Sequence, residues 1–214
     1  MSGTLRLTEI FHSIQGESRT AGIPTVFIRL TGCPLRCTYC DTPYAFKGGD
    51  LLSIDDILCR AARFGCRYVT VTGGEPLAQK GCLALLKELA GEGYEVSLET
   101  SGALDIAEVD PRVSRVMDLK TPGSGEVGKN RFENIQHLNR NDQLKFVICD
   151  RPDYDWAREQ IAYWRLADRC EILMSPAAGR QEARELAEWV LADRLPVRFQ
   201  VQLHRLLWGE EKGR

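Results

Sequence analysis

Apolar and polar positions along the chain fall into short β-branched runs separated by longer stretches with helical spacing. Thr25–Leu30 (TVFIRL) reads as a strand, and Tyr68–Thr72 (YVTVT) as a second, closed by Gly73-Gly74. Glu95–Thr100, Arg115–Leu119 and Leu144–Cys149 continue the series, and Arg198–Leu203 reads as a final strand. Ser53 suits an N-cap, with Asp55 and Asp56 in the first turn of a helix running to about Phe64. Leu83, Leu86 and Leu89 give Gln79–Ala90 a helical stripe, and Asp153–Leu166 and Gln181–Ala192 read as further helices. No repeat, low-complexity tract or linker interrupts this alternation, so residues 1–214 are expected to form one domain.

Strands alternating with helices predict parallel β/α units with right-handed crossovers. About six strands are too few for a closed eight-fold barrel. The expected class is therefore α/β, a partial, shortened parallel β/α barrel. Ligands should then gather at the carboxyl ends of its strands. The chemically suggestive loops all follow strands: the cysteine-bearing loop after Leu30, then Thr72–Pro76, Glu99–Gly102 and Asp118–Lys120.

Apolar residues make up 43% of the chain, enough for one sizeable core. The net charge of −2 gives no case for a nucleic-acid or membrane-surface partner. Apolar stretches such as Cys82–Leu86 are far too short to span a bilayer. Met1–Glu9 has no apolar signal core, so a cytoplasmic location is expected. Eight cysteines are many for such a chain, and disulfides are not expected in a reducing compartment. Five of them (Cys59, Cys66, Cys82, Cys149, Cys170) sit in apolar surroundings and read as small buried hydrophobes.

The other three lie in Gly32-Cys33-Pro34-Leu35-Arg36-Cys37-Thr38-Tyr39-Cys40. Three thiolates in one loop can converge on a metal centre. Structural zinc needs four ligands, and no second close pair or neighbouring histidine is visible in the sequence. Cubane clusters ordinarily use four cysteines, so three leave one iron open to another ligand. A degenerate zinc loop or three surface thiols is the competing reading. In Gly73-Gly74-Glu75-Pro76 the glycines permit close backbone approach, and the Glu75 carboxylate suits a cationic amino group. Glu99-Thr100-Ser101 offers groups for ribose hydroxyls. His12–Ser18 reads as a polar loop in which Gln15 and Glu17 suit the edge of a guanidine-like ring. Arg29, inside an apolar strand, calls for an anionic partner, either a substrate carboxylate or an internal carboxylate. Asp41-Thr42 suits either Mg²⁺ or a turn cap.

The spacing C-x-x-x-C-x-x-C after a strand, followed by Gly-Gly-Glu-Pro at the end of another, resembles the radical S-adenosylmethionine superfamily. That resemblance implies a [4Fe–4S] cluster on Cys33, Cys37 and Cys40. S-Adenosyl-L-methionine would chelate the fourth iron and be cleaved to a radical. Further motifs resemble the 7-carboxy-7-deazaguanine synthase family: FHSIQGE, FIRLxGCxLRCxYCDT, VTGGEP, LETSG, DLKTPxS and the closing QLHRLLWG. This finer resemblance implies conversion of 6-carboxy-5,6,7,8-tetrahydropterin to 7-carboxy-7-deazaguanine with loss of ammonia. It also implies Mg²⁺ dependence, a homodimer and a reducing electron donor of the flavodoxin or ferredoxin type.

Carried over by position, Ile14, Gln15, Gly16, Glu17, Arg29 and Thr72 would touch the pterin. Tyr39, Cys40, Asp41, Gly74, Glu75 and Ser101 would contact S-adenosylmethionine. Lys120, Thr121 and Pro122, with Ser175, Pro176, Ala177 and Ala178, would complete that pocket, and Thr42 would bind Mg²⁺. Members ending in a proline place its carboxylate on the substrate, but this chain continues past Trp208 with Gly209–Arg214, so that contact does not carry over. Two alternatives remain at this stage. One is a glycyl-radical enzyme activase; the other is a non-enzymatic iron–sulfur or zinc binding protein.

Overall fold

A computed structural model describes residues 3–209, 211 and 213. Alternation drives its strands. In β1 (Thr4–Ile14), Leu5 and Leu7 turn inward while Arg6 between them stays exposed. β1 pairs antiparallel with β2 (Pro24–Leu30) and with β3 (Asp50–Ser53). From β2 onward the pairing is parallel, through β4 (Tyr68–Gly73), β5 (Glu95–Thr100), β6 (Ser114–Asp118), β7 (Gln143–Ile148), β8 (Glu171–Pro176) and β9 (Arg198–Phe199). The sheet is open, with β3 and β9 at its edges. This is a mostly parallel α/β sheet of the partial-barrel kind.

Four helices fill the crossovers: α1 (Ile54–Ala62), α2 (Cys82–Gly91), α3 (Arg151–Tyr163) and α4 (Ala183–Ala192). Ser53 caps α1 as expected, accepting from the Asp56 amide. The period of two divides each strand. Val26 and Ile28, Val69 and Val71, Val96 and Leu98, Leu144 and Phe146, and Ile172 and Met174 join one core with the helices. The intervening residues belong to the other face. One from each central strand forms a polar row: Arg29, Thr72, Glu99, Asp118, Lys145 and Ser175. Register ties this row together, with Arg29 opposite Thr72 and Asp118 opposite Lys145.

Several expectations are corrected. Strand β1 runs to Ile14, so the loop read over His12–Ser18 starts only at Gln15. The predicted strand Arg198–Leu203 shrinks to two residues, because Leu203, Leu206 and Leu207 have helical spacing and form α5 (Leu203–Trp208). Helix α2 starts at Cys82 rather than Gln79, whose side chain instead bonds the Arg6 amide and carbonyl and the Thr31 carbonyl. Strands β1, β3 and β8 have no counterpart in the sequence reading. Among the described residues no helix is long and apolar enough to cross a membrane.

Candidate active site

The parallel strands open at their carboxyl ends onto a cavity of about 480 Å³. Cys33, Cys37 and Cys40 line it, together with Tyr39, Asp41, Thr42, Gly74, Ser101, Lys120, Ser175, Pro176, Ala177 and Ala178. Ile14, Gln15, Gly16, Glu17, Arg29 and Thr72 line the same cavity. The cysteine loop and the Ile14–Glu17 segment thus share one cavity.

The cysteine loop rests on backbone packing. Gly74 donates to the Leu30 carbonyl at 3.1 Å, and the Glu75 amide donates to the Gly32 carbonyl at 2.8 Å. A Cβ on Gly74 would collide with the Gly32 carbonyl and the Cys33 side chain. The Gly-Gly pair therefore brings β4 against the cysteine loop itself. All three thiols are free and partly exposed. Burial pushes Cys37 up to about 11 and raises Cys33 as well.

Three of the residues expected at the cofactor lie outside this lining. Glu75 is fully buried and does not line the cavity. Its carboxylate accepts from the Leu77 and Ser101 amides and from the hydroxyls of Thr100 and Ser101. It is saturated by the protein and shapes the Ser101 end of β5 from beneath. Thr121 is likewise buried, donating to the Val147 carbonyl and Asp153. Pro122 faces outward, beyond the lining. Of that triplet Lys120 alone reaches the cavity.

Arg29 finds its anion inside the protein. Its Nε donates to Glu9 at 2.7 Å, and its guanidinium lies 5.7 Å and 5.9 Å from the centres of the Phe11 and Tyr44 rings. Thr42 precedes a short 3-10 turn (Pro43–Phe46) yet makes no side-chain cap bond, so its hydroxyl is not spent on capping.

A chain of charges crosses the floor. Lys120 Nζ meets Asp118 at 2.8 Å, Lys145 Nζ lies 3.9 Å from Asp118, and Lys145 meets Glu17 at 3.3 Å. Burial pulls Lys145 down, but Glu17 and Asp118 outweigh it and hold the ammonium above its usual range. Burial raises Glu17, Lys145 opposes that rise, and Glu99 and Asp41 add to it. Gln15 donates to Thr70 and Glu99, and Thr72 donates to Glu99 at 3.0 Å.

Residues 27–119 match the Radical SAM superfamily. A 7-carboxy-7-deazaguanine synthase from Chlorobaculum tepidum is 45% identical over 97% of this chain and 96% of its own length. One from Koribacter versatilis is 40% identical, covering 97% and 98%. The chain belongs to the 7-carboxy-7-deazaguanine synthase family. The fold agrees: the crystal structure of QueE from Escherichia coli superposes with a TM-score of 0.78 at 24% identity, over 94% of this chain and 95% of that one. Streptococcus suis SuiB, solved bound to S-adenosylmethionine, gives 0.57 at 14% identity, over 80% of this chain and 45% of that one.

The lining suits the groups that the radical SAM superfamily implies, a cluster and S-adenosylmethionine. Among the described residues no three His, Cys, Asp or Glu side chains gather tightly enough to share a single ion. A cubane does not require that, because each cysteine meets a different iron. Tyr39 Oη, Asp118 Oδ1 and Ser175 Oγ are buried without a protein partner. All three residues line the cavity of this 7-carboxy-7-deazaguanine synthase family member, and buried polar atoms of this kind call for a ligand.

Glu99, Asp118, Lys145 and His204 were not among the predicted site residues. Both Glu99 and Asp118 stand at the chemically suggestive strand ends, Glu99 within the Glu99-Thr100-Ser101 run that suits ribose hydroxyls. Lys145 carried a signal, a cation within the apolar run Leu144–Cys149. His204 carried none, because it arrives only when α5 folds back: Leu203 donates to the Gly16 carbonyl at 3.0 Å, and a Cβ on Gly16 would strike the His204 ring.

Proposed function

We propose that this chain is a radical S-adenosylmethionine enzyme acting on 6-carboxy-5,6,7,8-tetrahydropterin to form 7-carboxy-7-deazaguanine with loss of ammonia, a carbon–nitrogen lyase. The observation that carries this reading is the single cavity joining the cysteine loop to the Ile14–Glu17 turn. Cys33, Cys37 and Cys40 hold the [4Fe–4S] cluster. When bound, the cluster and S-adenosylmethionine supply one-electron chemistry and hydrogen-atom abstraction. The chain's own part is positioning and exclusion of water. Tyr39, Asp41, Gly74, Ser101, Lys120 and Ser175–Ala178 surround the cofactor. Gln15 and Glu17 read the ring edge, Gly16 and Ile14 pack against it, and Arg29 and Thr72 border it. The uncapped hydroxyl of Thr42 supports Mg²⁺ binding there, which favours oxygen ligands and retains water.

The exposed Leu206 and Leu207 of α5 support a homodimer. A flavodoxin- or ferredoxin-type donor and a cytoplasmic location complete the reading. Metal analysis of the anaerobically purified chain separates it from the zinc alternative. About four irons with sulfide per chain is the expected result; one zinc without sulfide overturns it.

Lys145 gives a prediction with a pH signature. Burial holds Glu17 above the usual carboxylate range in the fold. Stability from Glu17 is therefore full below the usual glutamate range and lost as pH climbs through the raised value. Recognition of a guanidine-like edge needs the carboxylate, so pterin affinity rises over that same climb. Lys145→Met removes the opposing cation and moves the window to higher pH. The KM for the pterin at neutral pH should rise about tenfold, the loss of one charge-assisted contact. An unmoved profile of KM against pH contradicts this role.

A further inference from the structure

Thr38 sits between two of the cysteines and has so far been given no role. Its amide donates to the Ser124 carbonyl at 2.9 Å, and its Oγ1 donates to the Gly123 carbonyl at 2.7 Å. The same Oγ1 accepts from Arg180 at 2.6 Å, and that guanidinium nitrogen also lies 3.4 Å from the Gly123 carbonyl. Arg180 arises from the turn that ends the Ser175–Ala178 segment, its amide donating to the Ala177 carbonyl at 3.1 Å. Three loops therefore meet at one hydroxyl: the cysteine loop, the loop after Lys120, and the loop after β8.

The second of these loops is anchored from below. Asp153, fully buried near the start of α3, accepts from the Gly123 amide at 2.7 Å, the Thr121 hydroxyl at 2.9 Å and the Cys149 amide at 3.0 Å. Gly123 has room for no side chain there, since a Cβ would meet the Asp153 carboxylate and the Cys149 Cβ. Within the cysteine loop, Arg36 donates to the Cys33 and Leu35 carbonyls at 2.8 Å and 2.6 Å, and Cys40 donates to the Cys37 carbonyl at 3.2 Å. The loop's register against the two neighbouring loops depends on contacts such as those of Thr38.

We propose that Thr38, held by Arg180, is a positioning residue that locks the cysteine loop to the two loops given above to S-adenosylmethionine. This inference rests on the radical S-adenosylmethionine reading. The hydroxyl must donate and accept at once, which serine can do and isosteric valine cannot. Loss of the lock leaves all three thiolates in place but lets the cofactor loops drift relative to the cluster. Cluster content is kept and cofactor affinity falls.

The test uses the full chain, reconstituted anaerobically, as wild type, Thr38→Val, Thr38→Ser and Arg180→Met. Iron per chain is measured first. S-Adenosylmethionine is then titrated against the dithionite-reduced cluster, and the change in its paramagnetic resonance spectrum gives a dissociation constant. Thr38→Val and Arg180→Met should hold wild-type iron and bind S-adenosylmethionine about five- to tenfold more weakly, the range for one or two hydrogen bonds at a partly exposed site. Thr38→Ser should stay within about twofold of wild type, because its hydroxyl is retained. Wild-type affinity in Thr38→Val and Arg180→Met overturns the proposal, as does a Thr38→Ser variant as weak as Thr38→Val. If Thr38→Val loses its iron, Arg180→Met decides: weakened binding supports the lock and unchanged binding overturns it. A wild-type chain that holds iron but does not respond to S-adenosylmethionine overturns the functional reading, and the lock with it.

Discussion

Cys37→Ala should lose its iron and its turnover while keeping its fold. The side chain is half-buried, and its thiol, pushed up to about 11 by burial, is neutral near pH 7 when no metal is bound. The loop's bonds are made by its neighbours: Gly32 to the Ala45 carbonyl, Thr38 to the Ser124 carbonyl and Arg36 to Glu126. Truncation to alanine therefore removes little packing, and the metal-free protein should melt within about 2 °C of wild type. One iron, however, loses its ligand. Retained iron should fall well below the full complement, and product formation by at least about a thousandfold, equivalent to about 4 kcal/mol of activation free energy. Cys59→Ala is the control: contrary to the buried position expected from its apolar neighbours, that thiol is exposed on α1 and lines no part of the cavity. It should keep both iron and turnover. Full iron in Cys37→Ala, measured beside that control, would remove Cys37 from the ligand set.

Glu75→Gln should be among the most destabilising single substitutions in the chain. Four donors converge on the buried carboxylate, from Leu77, Thr100 and both the amide and hydroxyl of Ser101. Both carboxylate oxygens accept, Oε1 from Leu77 and Thr100 and Oε2 from Thr100 and Ser101. An amide replaces one acceptor with a donor that faces other donors. Leaving buried groups unsatisfied costs about 1–3 kcal/mol each, so a loss of about 2–4 kcal/mol is expected. In a domain of this size that corresponds to a fall of about 5–15 °C in Tm. The same change releases Ser101, so affinity for S-adenosylmethionine should fall along with stability. A melting temperature within 2 °C of wild type would show that the carboxylate is not the keystone of this turn.

Much of the architecture was legible because strands β2, β4, β5 and β7 are dense in apolar or β-branched residues. Each also ends in chemically suggestive residues or leads directly into a helix. Strand β1 was hidden by its charged positions, Arg6 and Glu9. Glu9 turned out to be the ion-pair partner that Arg29 required. Strand β8 (EILMSP) has Ile172 as its one β-branched residue and ends in proline, a weak β signal in the absence of pairing. The cavity's one-dimensional pieces, the cysteine loop and Ile14–Glu17, were readable as motifs. Its cross-strand partners were not, since Lys145 and Glu17 are 128 residues apart in sequence. The buried position of Glu75 was hidden for a related reason. A conspicuous carboxylate in a glycine turn suggests a ligand, and only the three-dimensional arrangement reveals that Thr100 and Ser101 already occupy it.

The most direct measurement is anaerobic turnover. The reconstituted chain is reduced with dithionite and given S-adenosylmethionine and 6-carboxy-5,6,7,8-tetrahydropterin, with and without Mg²⁺, and products are identified by mass spectrometry. The expected result is 7-carboxy-7-deazaguanine and ammonia in equal amounts, formed faster with Mg²⁺ and absent from Cys37→Ala. Accumulation of 5′-deoxyadenosine with no deazaguanine would contradict the substrate proposed here.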